Sequence, residues 1–588
     1  MRYSAPLRDL SFVLNELLDA PAALAQMPEH AGLDGESLMA VAEQAGDFAA
    51  GAILPLNRGA DETGCRWHGG EVEMPPGFQQ AYRDYCELGW VSICAALADG
   101  GQGLPRLMFS VVNEIFSAAS HAFVMIASVN HCAAICLRRS ASPALQARWL
   151  PALASGRVLS SMCMTEPQAG SDIGLLSTRA EPDGPGGYRL SGSKIFASGA
   201  EHGLSANIVH LVLARIAGAP PGSRGLSLFL VPKWLDDGAR NAVHCDGIEH
   251  KMGLHGSPTC ALRLDGALGW LVGEPQRGLA AMFPMMNEAR LMSGLQALGL
   301  SELAWQAARG YAHERRQGRS PAGLQPCPLV DHPDVQRMLM TQKAWNEGAR
   351  MLVHWTALVI DAAESHADQA HRRESAELAG LLTPIVKGFL CENAQQALSL
   401  ALQVHGGHGY VRETGVEQLV RDARVITLYE GSTGIQAQDL LMRKVLADGG
   451  QRLALLTGRV QAWLESPGAG AEGLAAFTGP LRTLLAQVRA ATTLLAGRER
   501  GQAGAALASC CSYLRLLGHL VMAWWWARAA AACLAVHERE HEHEHKQGWY
   551  AGKLATAHFH YGELLPETRA LLAAIEAAPR PWALALAE

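Results

Sequence analysis

The amino-acid sequence predicts a mainly α-helical fold with one central β domain. Both ends of the chain are rich in alanine, which favours helix, and carry apolar residues at helical spacing. Residues 160–273 instead contain short apolar runs, at 208–213 and 226–231, separated by turns rich in proline and glycine. That is the pattern of β-strands. Because 588 residues exceed the usual size of one domain, several domains are expected.

Five segments are predicted in chain order. They are an N-terminal extension (1–36), an N-terminal helical domain (37–159), a middle β domain (160–278), a helical bundle (279–449) and an additional C-terminal helical domain (450–588). The extension has one apolar helical face and is expected to pack on the body of the protein. A glycine-rich loop at 99–105 interrupts the first helical domain. Such a loop can cradle a phosphate, but no strand precedes it, so we interpret it as a turn.

The composition disfavours several classes of protein. The net charge is −7, from 49 basic and 56 acidic residues, which argues against broad nucleic-acid binding. The 13 cysteines show no zinc-ligand spacing. They predict reduced thiols in a cytoplasmic protein and no metal site. Residues 1–20 lack the apolar core of a signal peptide. No stretch is apolar for the ~20 residues that a span needs, so no stable membrane insertion is expected.

Two stretches of the last domain allow two interpretations each. The alternating His/Glu run at 541–545 could bind a metal, but no second ligand cluster accompanies it, so a solvated loop is expected. The three tryptophans at 524–526 could anchor the chain at a membrane surface. Basic residues around them are sparse, so packing in the core or at a domain interface is expected instead.

One carboxylate, Glu430, has the surroundings of a general base. It lies between Tyr429 and Gly431 and is followed by the small hydroxylic residues Ser432 and Thr433. Burial among apolar neighbours raises the pKa of a glutamate above its free value of about 4.3. A carboxylate tuned in this way can remove a proton from carbon near neutral pH. The alternative is that the residue is only a favourable charge at the start of a helix.

Four motifs in order give the chain a close resemblance to the acyl-CoA dehydrogenase family. They are TEPQAGSD at 165–172, ERRQGR at 314–319, QVHGGHGY at 403–410 and LYEGSTGIQ at 428–436. The resemblance covers nearly the whole chain. It implies an N-terminal helical domain, a β-barrel-like middle domain and a four-helix bundle. The extension, the additional C-terminal domain and the APLRD sequence near the N-terminus are similar to the long 3-methylmercaptopropionyl-CoA dehydrogenase branch.

The resemblance implies FAD-dependent oxidation of an acyl-CoA to the trans-2-enoyl-CoA, as in fatty-acid β-oxidation. Glu430 would remove the α-proton, N5 of FAD would accept the β-hydride, and donors that include the backbone N–H of Glu430 would stabilise the enolate oxygen. Some branches place the base on the helix at 287–291, where the matching position here is Ala289. Glu288 is one step away, which turns its side chain elsewhere, so we interpret it as a surface or capping charge.

The resemblance also assigns residues to the cofactor and the substrate. Residues matched to FAD contacts within the same subunit are Met162, Met164, Thr165, Phe196, Ser198, Ser432 and Gly434. Residues matched to the FAD of a neighbouring subunit are Arg315, Gln317, Gln403, Gly406 and Gly407. Residues matched to the acyl-CoA are Ser171, Asn287, Arg290, Tyr429 and Gly431, with Asn287 and Arg290 at the pocket mouth. Gly318 stands where phenylalanine is frequent, which leaves the packing of the adenine open.

A cofactor site shared between subunits implies a homodimer, and the family implies an electron-transferring flavoprotein as electron acceptor. Two alternatives use the same fold. One is an acyl-CoA oxidase, which passes electrons to oxygen; the other is a DNA-associated flavoprotein, which needs a basic face that the acidic total disfavours. The sequence leaves open the acyl chain, whether fatty or sulfur-containing, and dimer against tetramer. The additional C-terminal domain is expected to support packing and the dimer, and to cover the outer part of the site.

Overall fold

The computed structural model describes residues 1–184, 186–323, 325–539 and 544–577. Its first part is helical, as predicted. The helices are α1 (Leu7–Ser11), α2 (Ala20–Leu24), α3 (Gly35–Phe48), α4 (Leu54–Thr63), α5 (Phe78–Glu87), α6 (Arg106–Ala119), α7 (His121–Ala127), α8 (Val129–Ser140) and α9 (Pro143–Ala154). A hairpin pairs β1 (Arg66–His68) with β2 (Glu71–Glu73). Helix α6 is buried along its whole length, because it packs against α3 and against the two long helices that follow the middle domain.

The glycine-rich loop is a turn, as interpreted. The N–H groups of Gly101 and Gly103 donate to the carbonyl oxygens of Ala96 and Ala95, at 3.0 and 2.9 Å. A phosphate cradle needs backbone N–H groups that face the ligand. These two are already engaged inside the loop.

The middle domain is a seven-stranded sheet that closes on itself. Its strands are β3 (Val158–Cys163), β4 (Arg179–Pro182), β5 (Gly187–Ser198), β6 (Asn207–Ile216), β7 (Leu226–Pro232), β8 (Val243–Ile248) and β9 (Thr259–Val272). Their order is β3-β6-β4-β5-β9-β7, β8 pairs with β9, and β7 pairs back onto β6. That last pairing makes the domain barrel-like, as expected. Leu190, Val212 and Phe229 are among the fully buried side chains of its core.

The bundle begins with the long helix α10. Its helices are α10 (Gly278–Glu314), α11 (Pro333–Ser365), α12 (Gln369–Ile385), α13 (Cys391–His405), α14 (Val416–Ala423) and α15 (Thr433–Gln438). Helix α10 approaches α6 closely at Gly299, where a Cβ atom would lie 2.6 Å from the carbonyl oxygen of Glu114. The two helical domains therefore share one packed interface.

The additional C-terminal domain packs on this bundle. Its helices are α16 (Gln451–Leu464), α17 (Ala475–Gly501), α18 (Cys510–Arg539), α19 (Glu544–Phe559) and α20 (Glu567–Glu576). The three tryptophans of α18 are at most 4% exposed. Trp355 of α11 makes edge contacts with Trp524 and Trp525, at 5.3 Å between ring centroids in each case. They pack at the domain interface, as expected.

The N-terminal extension joins the C-terminal domain. Phe12 contacts the ring of Trp549 at 5.2 Å between centroids. Arg528 donates to the carbonyl oxygen of Leu17 at 3.0 Å, and Lys553 forms a buried ion pair with Asp9. The N-terminal extension and the helices α18 and α19 of the C-terminal domain are thus packed together.

Two helical stretches, His121–Ser140 and Leu507–Ala535, have the length and mean hydropathy of a membrane span. By that measure the expectation that no stretch would qualify is wrong. Within the span window, 67% and 72% of the residues are buried inside the protein. Buried core helices pass the same test, so the finding is weak support for a span. The side chains of the His/Glu run at 541–545 lie outside the described residues.

Candidate active site

A cavity of about 1010 Å³ is lined by residues of the N-terminal helical domain, the middle domain, the bundle and the C-terminal domain. At its mouth, Ser171, Asp172 and Arg443 are exposed. At its inner end, Met125 and Tyr429 are half-buried. The predicted site residues that line this cavity are Met162, Met164, Thr165, Ser171, Phe196, Ser198, Arg290, Tyr429, Glu430, Gly431 and Ser432.

Two predicted site residues lie beside the cavity rather than on its wall. Gly434 is in the first turn of α15. Asn287 is exposed on α10, and its Oδ1 accepts a hydrogen bond of 3.4 Å from Arg290.

The residues predicted to reach a neighbouring subunit form a separate, exposed group. They are Arg315, Gln317, Gln403, Gly406 and Gly407. Tyr311, near the end of α10, stacks on His405 at 4.6 Å between ring centroids and lies 3.2 Å from His408. This contact brings the end of α10 beside the loop that follows α13, so the two parts of the group share one surface.

Glu430 is held in a short loop with an unusual backbone. Both Glu430 (φ 55°) and Gly431 (φ 85°) are in the left-handed region, which residues with a Cβ rarely adopt away from functional sites. The fully buried side chain of Gln436 donates to the carbonyl oxygen of Glu430 at 2.8 Å. This bond from α15 fixes the loop in the conformation that presents the carboxylate to the cavity.

The carboxylate of Glu430 is poised between its two protonation states. Its Oε2 is buried, with no hydrogen-bond partner among the described residues. Burial raises the pKa of Glu430 to about 7, and the smaller effects of Arg290 and Lys387 lower it. At neutral pH a substantial fraction of the Glu430 carboxylate is therefore ionised. No donor among the described residues occupies the Oε2 atom that would accept the proton. Those are the properties of a general base.

The two cations beside Glu430 are themselves buried. Arg290 is 7% exposed and lies 3.4 Å from Asp439. Asp439 supplies the counter-ion that a buried guanidinium needs. Lys387 is fully buried, and its Nζ has no partner in the described part of the chain.

The facing wall has the properties of a flavin site. Phe196 and Met252 of the middle domain and Leu428 of the Glu430 loop line the cavity with between 55% and 58% of their surface exposed. Phe196 has φ 57° and interrupts the pairing of β5 with β9, which turns its ring away from the sheet core. Apolar side chains of this kind would cover a flat aromatic ring, and the hydroxyls of Thr165 and Ser198 could bond to its polar edge. The residues present therefore fit FAD.

A buried ion pair joins the two strand ends of this wall. Glu166 follows β3, and its Oε1 lies 2.8 Å from Nζ of Lys194 on β5. The same ammonium donates to the carbonyl oxygen of Met164 at 3.0 Å. The carboxylate also accepts hydrogen bonds from the backbone N–H and hydroxyl groups of Ser177 and Thr178. These bonds, with the charge of Lys194, outweigh burial and lower the pKa of Glu166 to about 2.

Glu288 is not a surface or capping charge, so that expectation is wrong. It is 4% exposed and pairs with Arg106 at 2.9 Å and with His131 at 3.1 Å. These two partners outweigh burial and lower the pKa of Glu288 to about 2. A carboxylate held ionised by two donors is a poor proton acceptor, which weakens the case for Glu288 as an alternative base.

Several residues that shape the site were not found from the sequence. Gln436 was part of a motif, but its hydrogen bond depends on how the loop folds back on α15. Lys387 and Gln296 carry no sequence signal, because a single polar residue in a helical segment is more often a solvated side chain. Only the burial of these side chains beside the cavity reveals them.

Four family domains match consecutive parts of the chain. They are the acyl-CoA dehydrogenase N-terminal domain at residues 35–157, the middle domain at 161–267, the C-terminal domain at 276–445 and a domain described as acetyl-CoA dehydrogenase C-terminal like at 456–583. Together they span most of the sequence and follow the order of the observed domains.

Full-length relatives and solved structures agree with these matches. The chain is 39% identical to 3-methylmercaptopropionyl-CoA dehydrogenase from Ruegeria pomeroyi, over 89% of this chain and 90% of the relative. It is 33% identical to a broad-specificity linear acyl-CoA dehydrogenase from Mycobacterium tuberculosis, over 96% of both. The fold matches an acyl-CoA dehydrogenase complexed with FAD from Bacillus anthracis with a TM-score of 0.74 at 20% identity, covering 98% of this chain and 93% of that one. The chain therefore belongs to the acyl-CoA dehydrogenase family and is an oxidoreductase that acts on CH–CH bonds.

Proposed function

We propose that the protein oxidises an acyl-CoA thioester to the trans-2-enoyl-CoA, with Glu430 as the base and FAD as the cofactor. The observation that carries the proposal is the state of Glu430. It is a buried carboxylate without a hydrogen-bond partner among the described residues, its pKa is raised to about 7, and it faces a large cavity. A base with a pKa near the working pH is effective in taking a proton from carbon.

The residues of the chain then have distinct roles. Glu430 accepts the α-proton, and its backbone N–H, held by the fixed loop, helps to stabilise the enolate oxygen. Arg290 and Lys387 keep part of the Glu430 population ionised at neutral pH. FAD, when bound, supplies the hydride acceptor for the β-carbon. Loss of one proton and one hydride leaves the double bond between the α and β carbons.

The binding roles follow the two walls of the cavity. Residues proposed to hold FAD within one subunit are Met162, Met164, Thr165, Phe196, Ser198, Ser432 and Gly434. The exposed group proposed to reach a neighbour's FAD is Arg315, Gln317, Gln403, Gly406 and Gly407, which makes the functional unit a homodimer. Ser171, Asn287, Arg290, Tyr429 and Gly431 are proposed to contact the acyl-CoA.

Substrate, electron acceptor and location are further parts of the proposal. The relatives named above favour either a linear fatty acyl-CoA or a sulfur-containing acyl-CoA of the 3-methylmercaptopropionyl type. We propose an electron-transferring flavoprotein as acceptor, in the cytoplasm, with a role in β-oxidation. Reoxidation of the reduced protein in air, compared with reoxidation by an electron-transferring flavoprotein, separates this role from that of an oxidase.

The base assignment is tested with Glu430→Gln. The variant is expected to keep FAD and to bind acyl-CoA, but to lose nearly all anaerobic flavin reduction, because an amide cannot accept the α-proton. Reduction is followed by bleaching of the flavin absorbance in a stopped-flow instrument. Glu288→Gln is the comparison and should still reduce flavin in its folded fraction. A rate for Glu430→Gln within about tenfold of wild type would contradict the assignment, since that is only about 1.4 kcal/mol of barrier.

A further inference from the structure

A polar cluster closes the inner end of the cavity. Tyr429 lines the cavity, and its hydroxyl donates a hydrogen bond to Oε1 of Gln296, a residue that does not line it. The same hydroxyl lies 3.4 Å from Nε2 of His121 and 3.7 Å from the sulfur of Met125. Nε2 of Gln296 donates to that sulfur at 3.3 Å. The side chains of Tyr429, Gln296, His121 and Met125 thus form one connected group next to the proposed base.

The cluster ties together three parts of the chain. His121 and Met125 are on α7, Gln296 is on α10, and Tyr429 is in the catalytic loop. His121 and Gln296 are 1% and 3% exposed. Burial lowers the pKa of His121 to about 3, so the imidazole is neutral and the cluster carries no charge that would draw in water. Moving Tyr429 aside would leave buried polar atoms of Gln296 without a partner, which is unfavourable.

The position of the cluster in the cavity determines which part of a bound acyl-CoA would contact it. The CoA portion is large and charged, so it belongs at the exposed mouth, beside Ser171 and Arg443. The α-carbon must lie within reach of Glu430. The rest of the acyl chain then continues inward, toward Tyr429 and Met125. Tyr429, the neighbour of Glu430 in sequence, and Met125 line the cavity there and bound the space open to the acyl chain.

We infer that Gln296, His121 and Met125 are specificity-determining residues, which hold Tyr429 across the inner end of the cavity and restrict the enzyme to short acyl groups. This inference depends on the proposed function, since it concerns the acyl group of the same reaction. Met125 both contacts the Tyr429 hydroxyl and forms the wall with Tyr429, whereas Gln296 and His121 act only by positioning Tyr429. The thioether of Met125 makes the wall polarisable, which suits an acyl group that ends in sulfur as well as one that ends in methyl.

The discrimination expected at a closed wall is large. A single extra methylene that does not fit a pocket changes kcat/KM by roughly 10- to 200-fold. A closed inner end therefore predicts a steep fall along a series of acyl-CoAs. An open inner end would allow a gradual rise with chain length, because each buried methylene adds binding energy.

The test measures kcat/KM of the FAD-loaded enzyme for butyryl-, hexanoyl-, octanoyl- and dodecanoyl-CoA. Variants are Gln296→Leu, which removes the partner of the Tyr429 hydroxyl, and Met125→Ala, which removes part of the wall. Met125→Val replaces Met125→Ala if that variant does not retain FAD. The matched control is Met351→Ala, which deletes a methionine that is 2% exposed on α11 and does not line the cavity.

The wild type is expected to lose at least about tenfold in kcat/KM between hexanoyl- and dodecanoyl-CoA, and Gln296→Leu and Met125→Ala to reduce that ratio at least about threefold. Met351→Ala should leave the ratio unchanged. A wild type that uses dodecanoyl-CoA as well as butyryl-CoA would overturn the inference, as would folded variants with the wild-type ratio. If no acyl-CoA of any length reduces the flavin, the proposed function fails instead, so the two failures are distinguishable.

Discussion

At the residue scale, the reactivity of Glu430 depends on a balance between burial and charge. Burial disfavours its anion, while Arg290 and Lys387 favour it. Neither cation forms a hydrogen bond with Oε2, which has no partner among the described residues. The carboxylate is therefore not held in its ionised form by a direct donor. The result is a carboxyl group that changes protonation state near neutral pH, in contrast to Glu288, which its two partners hold ionised.

This balance predicts a pH profile for flavin reduction. In the wild type, kcat/KM should rise as the pH increases through about 7, because the base must be deprotonated before it can accept the α-proton. Lys387→Met removes a nearby cation that favours the anion, so its rising limb should move to higher pH. Lys444→Met, which alters a lysine that does not line the cavity, is the control. Stopped-flow bleaching across buffers from about pH 5.5 to 8.5 measures the limb. A flat profile, or a Lys387→Met limb at lower pH, would contradict the assignment.

At the element scale, the cavity is formed where strands and helices end. The segment after β3 and the irregular part of β5 supply one wall, and the loop before α15 supplies the other. Ends of this kind have unsatisfied backbone groups and need side chains to fix them. Glu166 and Lys194 do this for the strands, and Gln436 does it for the loop.

The contributions of Glu166 and Lys194 to the free energy of unfolding should therefore depend on each other. Glu166→Gln leaves a buried ammonium without its counter-ion, and Lys194→Met leaves a buried carboxylate. Each is expected to lower the free energy of unfolding by about 3–5 kcal/mol. The double variant should lose clearly less than the sum of the two, because neither charge is then left unpaired.

Urea unfolding measures these free energies, and the flavin absorbance spectrum reports on the wall. The single variants should also shift the absorbance bands of bound FAD and increase its dissociation. Arg148→Gln, which removes a surface pairing with Asp236, is the control and should change stability by no more than about 1 kcal/mol. Additive losses in the double variant would show that the pair does not act as a unit.

The exposed end of α10 gives a prediction about the cofactor. Arg315→Ala is expected to weaken FAD retention without unfolding the chain, because Arg315 is exposed and is proposed to reach the FAD of a neighbour. Arg316→Ala is the matched control, since Arg316 is equally exposed but donates to the carbonyl oxygen of Pro326 in its own loop. FAD content per chain after gel filtration, with the oligomeric state, measures the effect. A folded monomer of the variant that holds FAD as tightly as wild type would contradict the shared site.

At the scale of the whole molecule, the C-terminal domain is part of the core rather than an appendage. One hydrophobic core contains residues of α11, of the segment Val386–Leu390 before α13, and of α18. Trp525 and Trp526 of α18 are fully buried in it. The domain also reaches the cavity, because Leu507 lines it. The same domain holds the N-terminal extension through Lys553 and Asp9.

Removing this domain should expose a large apolar surface. A chain of residues 1–450 is expected to aggregate or to be recovered with little FAD, because large exposed apolar patches associate. Light scattering and the ratio of flavin to protein absorbance measure the two effects. The intact chain is also tested for sedimentation with lipid vesicles. A soluble, active, FAD-loaded truncate that no longer binds vesicles, where the intact chain does, would favour a membrane role for the tryptophans instead.

The sequence by itself determined the fold class, the family and the position of the proposed base. Alternation in the middle of the chain and helical spacing elsewhere are local patterns, so they can be recognised without knowing what packs against what. The motif around Glu430 is equally local, and so is the strand pattern at 208–213 that became the centre of β6.

Only the tertiary structure decided the charge state and the surroundings of these residues. Glu288 and Arg106 are 182 positions apart, and Tyr429 and His121 are 308 positions apart. No local pattern reports such pairs. Burial, which raises the pKa of Glu430, and ion pairing, which lowers that of Glu288, both depend on distant segments meeting in space. That dependence is why two glutamates that look alike in the sequence have opposite properties in the folded protein.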